Sequence, residues 1–163
     1  MSRIMGIDPG FDRVGFGIVD VVGSTPSWVY HGCLQTKKTD DFVKRLQQVR
    51  DAVQKAITHF QPNAVAIEHL FFQTNVSSAI RVSMARGVIL LAIADAGIPV
   101  VELTPNQIKQ GIAGWGGAEK KQIQQTIQKL LRLDEIPKPD DAADALAIGI
   151  VGAYAIKHPS MRG

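Results

Sequence analysis

Four carboxylates in this sequence occupy places where a fold has little use for them. Asp8 ends an apolar run within Gly6-Ile-Asp-Pro-Gly10, and Glu68 ends another, Val65-Ala-Ile67. Asp141 and Asp144 lie in Asp140-Asp-Ala-Ala-Asp-Ala-Leu-Ala-Ile148. On a helix turning about 100° per residue, Asp140, Asp141 and Asp144 share one arc about 100° wide. The stripe Ala143, Leu146, Ala147, Ile150 and Tyr154 lies beside it, so the acids are expected at the rim of the core-facing side. Carboxylates gathered there repel one another and lose hydration unless something positive compensates. No lysine or arginine adjoins Asp8, Glu68 or Asp144 in the sequence. Divalent cations would compensate, and hard oxygen ligands select Mg²⁺ or Mn²⁺ over zinc. Each acid also has a plainer use. Asp8 suits a turn before Pro-Gly, Asp140 a helix cap, and Asp141 the helix dipole. Glu68 is the hardest to explain away, and four acids on three elements are more specific than any one.

The elements that must position these acids can be read from periodicity. Ile4 to Asp8 reads as a short buried strand, Val14 to Val22 as a second and Trp28 to Leu34 as a third, with Gly23 to Ser27 as a turn. These three form an antiparallel meander. Phe42, Leu46, Val49, Val53, Ile57 and Phe60 then make a helical stripe that Pro62 closes, with Thr39, Asp40 or Asp41 available as caps. Val65 to Ile67 has the look of a central strand buried on both faces. Val76 to Ala96 predicts a long helix, apolar nearly all round, which the sheet would cover on one side and a second subunit on the other. Pro99 to Leu103 is a further strand. Thr104-Pro105-Asn-Gln107 is a helix start with a capping box. Gly111 to Gly117 is expected to be a flexible loop, followed by helices over Glu119 to Arg132 and Asp141 to Lys157. This order fits an α/β domain with a mixed five-stranded sheet, three strands antiparallel and the rest parallel, flanked by helices.

The chain has 163 residues, enough for a single domain over 1–163 with one sizeable core. Its longest apolar stretch, Val88 to Ala94, is too short to cross a bilayer, and no apolar leader precedes the first carboxylate. One cysteine, Cys33, excludes an internal disulfide and a cysteine-rich zinc site. A cytoplasmic protein without membrane contact is the expectation. Net charge is only +3, but its distribution matters more. Lys109, Lys120, Lys121, Lys129 and Arg132 form one basic region, and Lys37, Lys38, Lys44 and Arg45 another. Such clusters suit a polyanionic partner, and equally well suit solvated helix faces.

Several blocks, in order, resemble the signature of the RuvC resolvases. They are Gly6-Ile-Asp-Pro-Gly10, Ala66-Ile-Glu68 followed by Phe71, Ser83-Met-Ala-Arg-Gly87, Gly117-Ala-Glu-Lys120 and Asp141-Ala-Ala-Asp-Ala-Leu-Ala-Ile148. The likeness spans nearly the whole chain. It implies an RNase H-like fold, a homodimer and four metal-binding acids: Asp8, Glu68, Asp141 and Asp144. It implies that Phe71 contacts junction bases, and that Lys109 and Lys120, with Lys121 beside them, serve DNA binding or catalysis. It also implies work alongside the RuvA and RuvB branch-migration proteins. The extra Asp140 offers a second candidate ligand one turn from Asp144, and the tail after Tyr154 is short.

The activity implied is cleavage of four-way (Holliday) DNA junctions by phosphodiester hydrolysis with two metal ions, Mg²⁺ or in its place Mn²⁺. Phe71 or Phe72 would stack on unpaired bases, and the alternative for either is core packing. Actin-like ATPases share a similar first loop but need a second lobe. An RNase H-like nuclease for RNA would share the acids without the blocks around Phe71 and Lys120. An inert binding module would have no use for carboxylates, which repel phosphate.

Overall fold

The structure, a computed structural model, describes residues 1–69 and 76–157. Its elements in chain order are β1 (Ser2–Asp8), β2 (Arg13–Val22), β3 (Thr25–Gln35), α1 (Phe42–Phe60), β4 (Ala64–Glu68), α2 (Val76–Asp95), β5 (Val100–Leu103), α3 (Pro105–Ala113), α4 (Lys120–Leu130) and α5 (Asp140–Lys157). One sheet runs β3-β2-β1-β4-β5. The β1–β2 and β2–β3 pairs are antiparallel, and the β1–β4 and β4–β5 pairs parallel, the mixed order expected.

Strand alternation decides which side chains meet which helices. Met5, Ile7, Val14, Phe16, Ile18, Val65 and Ile67 point to one face, where Val49 and Val53 of α1 and Ile89 and Ile93 of α2 bury them. Ile4, Val19, Val21, Ala64 and Ala66 point to the other face, with Ile108 of α3, Ile123 and Ile127 of α4, and Leu146 and Ile150 of α5. β4 is therefore buried on both faces, as its unbroken apolar run predicts.

The sheet has a bare patch where α5 crosses it. A Cβ added at Gly6 would lie 2.0 Å from the Ala145 carbonyl oxygen, and one at Gly17 2.5 Å from the Leu146 nitrogen. At Gly15 the clash would be with the Asp141 carbonyl oxygen, again at 2.0 Å. Helix backbone thus rests directly on strand backbone, and glycine is required for the close approach. The single core-facing stripe expected for this helix is too narrow. Sheet on one side and α3 with α4 on the other bury nearly every residue from Ala142 to Ala153.

Other local expectations shift at their edges. Thr25, Pro26 and Ser27 extend β3, so the turn shrinks to Gly23 and Ser24, with Gly23 at φ 59°. Pro26 is accommodated because β3 is an edge strand. Residues 111–113 belong to α3, not to a loop, and the left-handed Gly114 (φ 81°) ends the helix. The Thr104 capping box forms as expected: Gln107 N donates to Thr104 Oγ1 at 3.2 Å, and Thr104 N to Gln107 Oε1 at 2.7 Å.

α2 buries Ala85, Ile89, Ala92 and Ile93. Its outer side carries Ile80, Met84 and Leu91, exposed by 52%, 50% and 62%. Gly87 falls on that same line, with open space where a Cβ would be. Ser77–Asp95 is long and apolar enough, by length and composition, to cross a membrane, which the Val88–Ala94 run alone did not suggest. Its inner face fills the core instead.

Candidate active site

Sheet register brings Asp8 and Glu68 together. Ile7 pairs with Ile67 in the parallel β1–β4 ladder, so the next residues, Asp8 and Glu68, end adjacent strands on the α5 face. Asp8 is also opposite Gly15 in β2, the glycine on which the first turn of α5 rests. That contact sets Asp141 and Asp144 beside the two strand ends.

The acids act on one another's charge. Burial pushes the Asp8 carboxyl up to about 8, and the charges of Asp144, Glu68 and Asp141 act in the same direction. Burial, then Asp144, also raises Glu68. Asp144 is raised by burial even though Lys120 opposes it. The site is short of positive charge, as the sequence implied.

It is not wholly without it. Lys120 Nζ lies 3.1 Å from Asp144 Oδ2 and 3.2 Å from Asp140 Oδ2, although 24 residues separate Lys120 from Asp144. Burial works against the Lys120 ammonium, but Asp144 and Asp140 outweigh it and hold the pKa above the usual lysine value. Arg13 Nη1 approaches Asp141 Oδ2 at 3.6 Å. Arg86 Nε donates to the Glu68 carbonyl at 3.4 Å while its guanidinium pairs with Glu102. Cations absent from the flanking sequence therefore arrive through the fold, two of them from β2 and α2. Arg13 and Arg86 were not singled out for the site. Their signal in the sequence is a cation opening the strand after Gly10, and another within an otherwise apolar helix.

The donor set suits a hard divalent cation: four carboxylates with too few counter-charges. Among the described residues, no three His, Cys, Asp or Glu side chains form a closed ligand cluster. The acids share a field, not a finished cage.

Lys109 and Lys120 line one cleft with Glu68 and Asp144, together with Ile108 and Ile123. Lys121 is exposed on α4 and does not line that cleft. Asp140 is also exposed, and Lys120 together with Gln124 Nε2 at 3.1 Å lowers its carboxyl. The Asp8 carboxyl responds to the charge of Asp141, and the Asp144 carboxyl to those of both Asp140 and Asp141. Phe71 and Phe72 lie outside the described residues.

A five-stranded mixed sheet with acids at the ends of its first and fourth strands, and more on the helix crossing them, has the architecture of an RNase H-like nuclease. The family model for the crossover junction endodeoxyribonuclease RuvC matches residues 4–152. A crossover junction endodeoxyribonuclease RuvC of Brevibacillus brevis is 51% identical over 151 residues, 93% of this chain and 91% of that protein. One from Thermotoga petrophila is 50% identical over 146 residues, 90% and 88% of the two chains. The structure of Thermus thermophilus RuvC in complex with Holliday junction substrate superposes with a TM-score of 0.93, at 32% identity over 98% of both chains. The chain belongs to the RuvC family.

Proposed function

We propose that the protein resolves four-way DNA junctions as a divalent-metal-dependent endodeoxyribonuclease, making paired symmetric nicks during homologous recombination and repair. The observation that supports this most strongly is the gathering of Asp8, Glu68, Asp141 and Asp144 around one carboxyl pushed up to about 8, in a chain of this family. Asp8, Glu68, Asp141 and Asp144 would hold two Mg²⁺ ions, with Mn²⁺ able to substitute, and these supply activation of water and neutralisation of charge for phosphodiester hydrolysis. The products are 5′-phosphate and 3′-hydroxyl ends.

The chain's own side chains have distinct tasks. Asp8, placed on the sheet between Gly15 and Glu68, is central to the set. Lys120 holds Asp144 and leaves its ammonium facing the cleft, where a scissile phosphate gathers charge. Lys109, on the same cleft, and Lys121, next to Lys120 in the chain but off the cleft, attract the DNA backbone. Phe71 carries the base-stacking role on the family resemblance alone.

Two nicks placed symmetrically call for two sites related by a twofold axis. The exposed line Ile80, Met84, Gly87 and Leu91 on α2 supports a homodimer built on that helix. Partnership with RuvA and RuvB and a cytoplasmic location belong to the same reading. The test is to replace each acid singly. Asp8→Asn, Glu68→Gln, Asp141→Asn and Asp144→Asn should each abolish cleavage of a synthetic junction in Mg²⁺ while leaving junction binding intact. Asp140→Asn should still cut. Full activity in any of the first four would remove that residue from the site.

A further inference from the structure

A second groove, separate from the Lys109–Lys120 cleft, reaches Asp141. Arg13, Lys38, Arg81, Gln35, Asp12 and Asp141 line it, with Asp12 paired to Arg45, so Asp141 lines this groove while Glu68 and Asp144 line the other. Members of the acidic group thus line two separate grooves, each with lysine or arginine on its walls.

The groove has a fixed wall. Phe11, 4% exposed, stacks on Phe42 with ring centroids 5.0 Å apart. Arg45 lies over the same ring at 4.2 Å and Arg81 at 5.9 Å. Arg45 is buried, donates to Thr36 Oγ1 at 3.0 Å through Nε, and pairs with Asp12. Thr36 Oγ1, itself buried, donates to the Phe11 carbonyl at 3.0 Å. Of the basic run Lys37, Lys38, Lys44 and Arg45, the last two are thus occupied: Lys44 with Asp40 at 3.3 Å and Arg45 in the wall. Lys38 and Arg81 are exposed, and among the described residues neither has a carboxylate partner. Only Arg13, at the inner end, is tied to an acid.

We propose that this groove is a second phosphate-binding subsite, in which Lys38 and Arg81, with Arg13 at the inner end, hold the phosphodiester backbone of the DNA strand on the Asp141 side of the acids. It rests on the reading of the acids as a junction nuclease. Cations in both grooves would hold the strand at two points, which fixes its register as well as its affinity.

The test is binding of a labelled synthetic four-way junction in EDTA, from about 50 to 200 mM salt, where log affinity falls linearly with log salt. Lys38→Gln with Arg81→Gln should flatten that slope by about 1.8, two contacts at about 0.9 each. Lys38→Arg with Arg81→Lys should keep the wild-type slope, and circular dichroism checks that every variant is folded. Lys55→Gln, lining a separate groove between α1 and β3, should match wild type. A doubly neutral variant that folds and keeps the wild-type slope overturns the subsite. If the double variant does not fold, Lys38→Gln alone should flatten the slope by about 0.9, and an unchanged slope overturns it equally. Wild-type protein without any preference for a junction would instead overturn the nuclease reading, and the subsite with it.

Discussion

Replacing Gly15 by alanine should disable the site while leaving the fold standing. The new Cβ would lie 2.0 Å from the Asp141 carbonyl oxygen, 2.6 Å from its carbon and 3.2 Å from the Asp8 Cβ. Ordinary contact begins at 3.4 Å, so the start of α5 must retreat by about 1.4 Å. The nearest obstacle is the Asp141 backbone, so no flexible side chain can yield. Overpacking of this kind costs about 1–3 kcal/mol. For a chain of this length that lowers Tm by roughly 2–12 °C. The chemical cost is larger, because Asp141 and Asp144 ride on the displaced turn while Asp8 and Glu68 stay on the sheet. A misplacement of about 1 Å costs about 100-fold in rate. Single-turnover cleavage of a four-way junction in Mg²⁺, beside thermal melting, measures both. A Gly15→Ala protein that melts several degrees lower yet cleaves at the wild-type rate would refute the claim that backbone contact at Gly15 sets the acids.

Three further outcomes follow from the same geometry. The carboxyls of Asp8, Glu68 and Asp144 are all raised, so without metal the folded chain keeps protons that the unfolded chain releases, and stability falls as pH climbs from the ordinary carboxylate range toward about 8. In EDTA, Asp8→Asn should therefore raise Tm by about 4 °C or more near pH 8, a gain that shrinks toward about pH 5; a pH-independent difference contradicts the assignment. Lys120→Gln should slow cleavage on the order of 100-fold, while Lys121→Gln, off the cleft, should leave the single-turnover rate close to wild type. Equal losses in the two would mean that Lys120 acts only as a general DNA-binding charge. Leu91→Asp on the exposed line of α2 should give a folded monomer by sedimentation at micromolar concentration, and a persistent dimer would move the interface elsewhere.

The acids were legible in the sequence because each breaks a local rule. Asp8 and Glu68 end apolar runs that have no need of charge, and Asp141 and Asp144 share one helical arc. The strands were legible too: the unbroken run in β4 reflects burial on both faces, and the alternation of bulky residues with glycine in β2 reflects one face packed by side chains and the other by the α5 backbone. The compensation was harder to read, because Lys120, named on the resemblance alone, and Arg13 reach the acids only through tertiary packing. The span of α3 was misread because Gly111 looks like a loop residue. Its lack of a side chain instead lets α3 pack on Val151, whose Cγ2 would sit 2.8 Å from an added Cβ. The rivalry between Asp140 and Asp141 had no solution in spacing alone. The fold separates their surroundings: Asp140 is exposed and engaged by Lys120 and Gln124, while Asp141 is approached by Arg13.

The most direct test of the central claim is cleavage of a labelled synthetic four-way junction in Mg²⁺, with nick positions mapped on all four strands. Linear duplex, single strand and the Asp8→Asn protein serve as comparisons. The account predicts paired nicks at symmetric positions in two opposed strands of the junction alone, with 5′-phosphate ends, and none from Asp8→Asn. Cutting of linear duplex as readily as junction, or junction cleavage that survives Asp8→Asn, would contradict it.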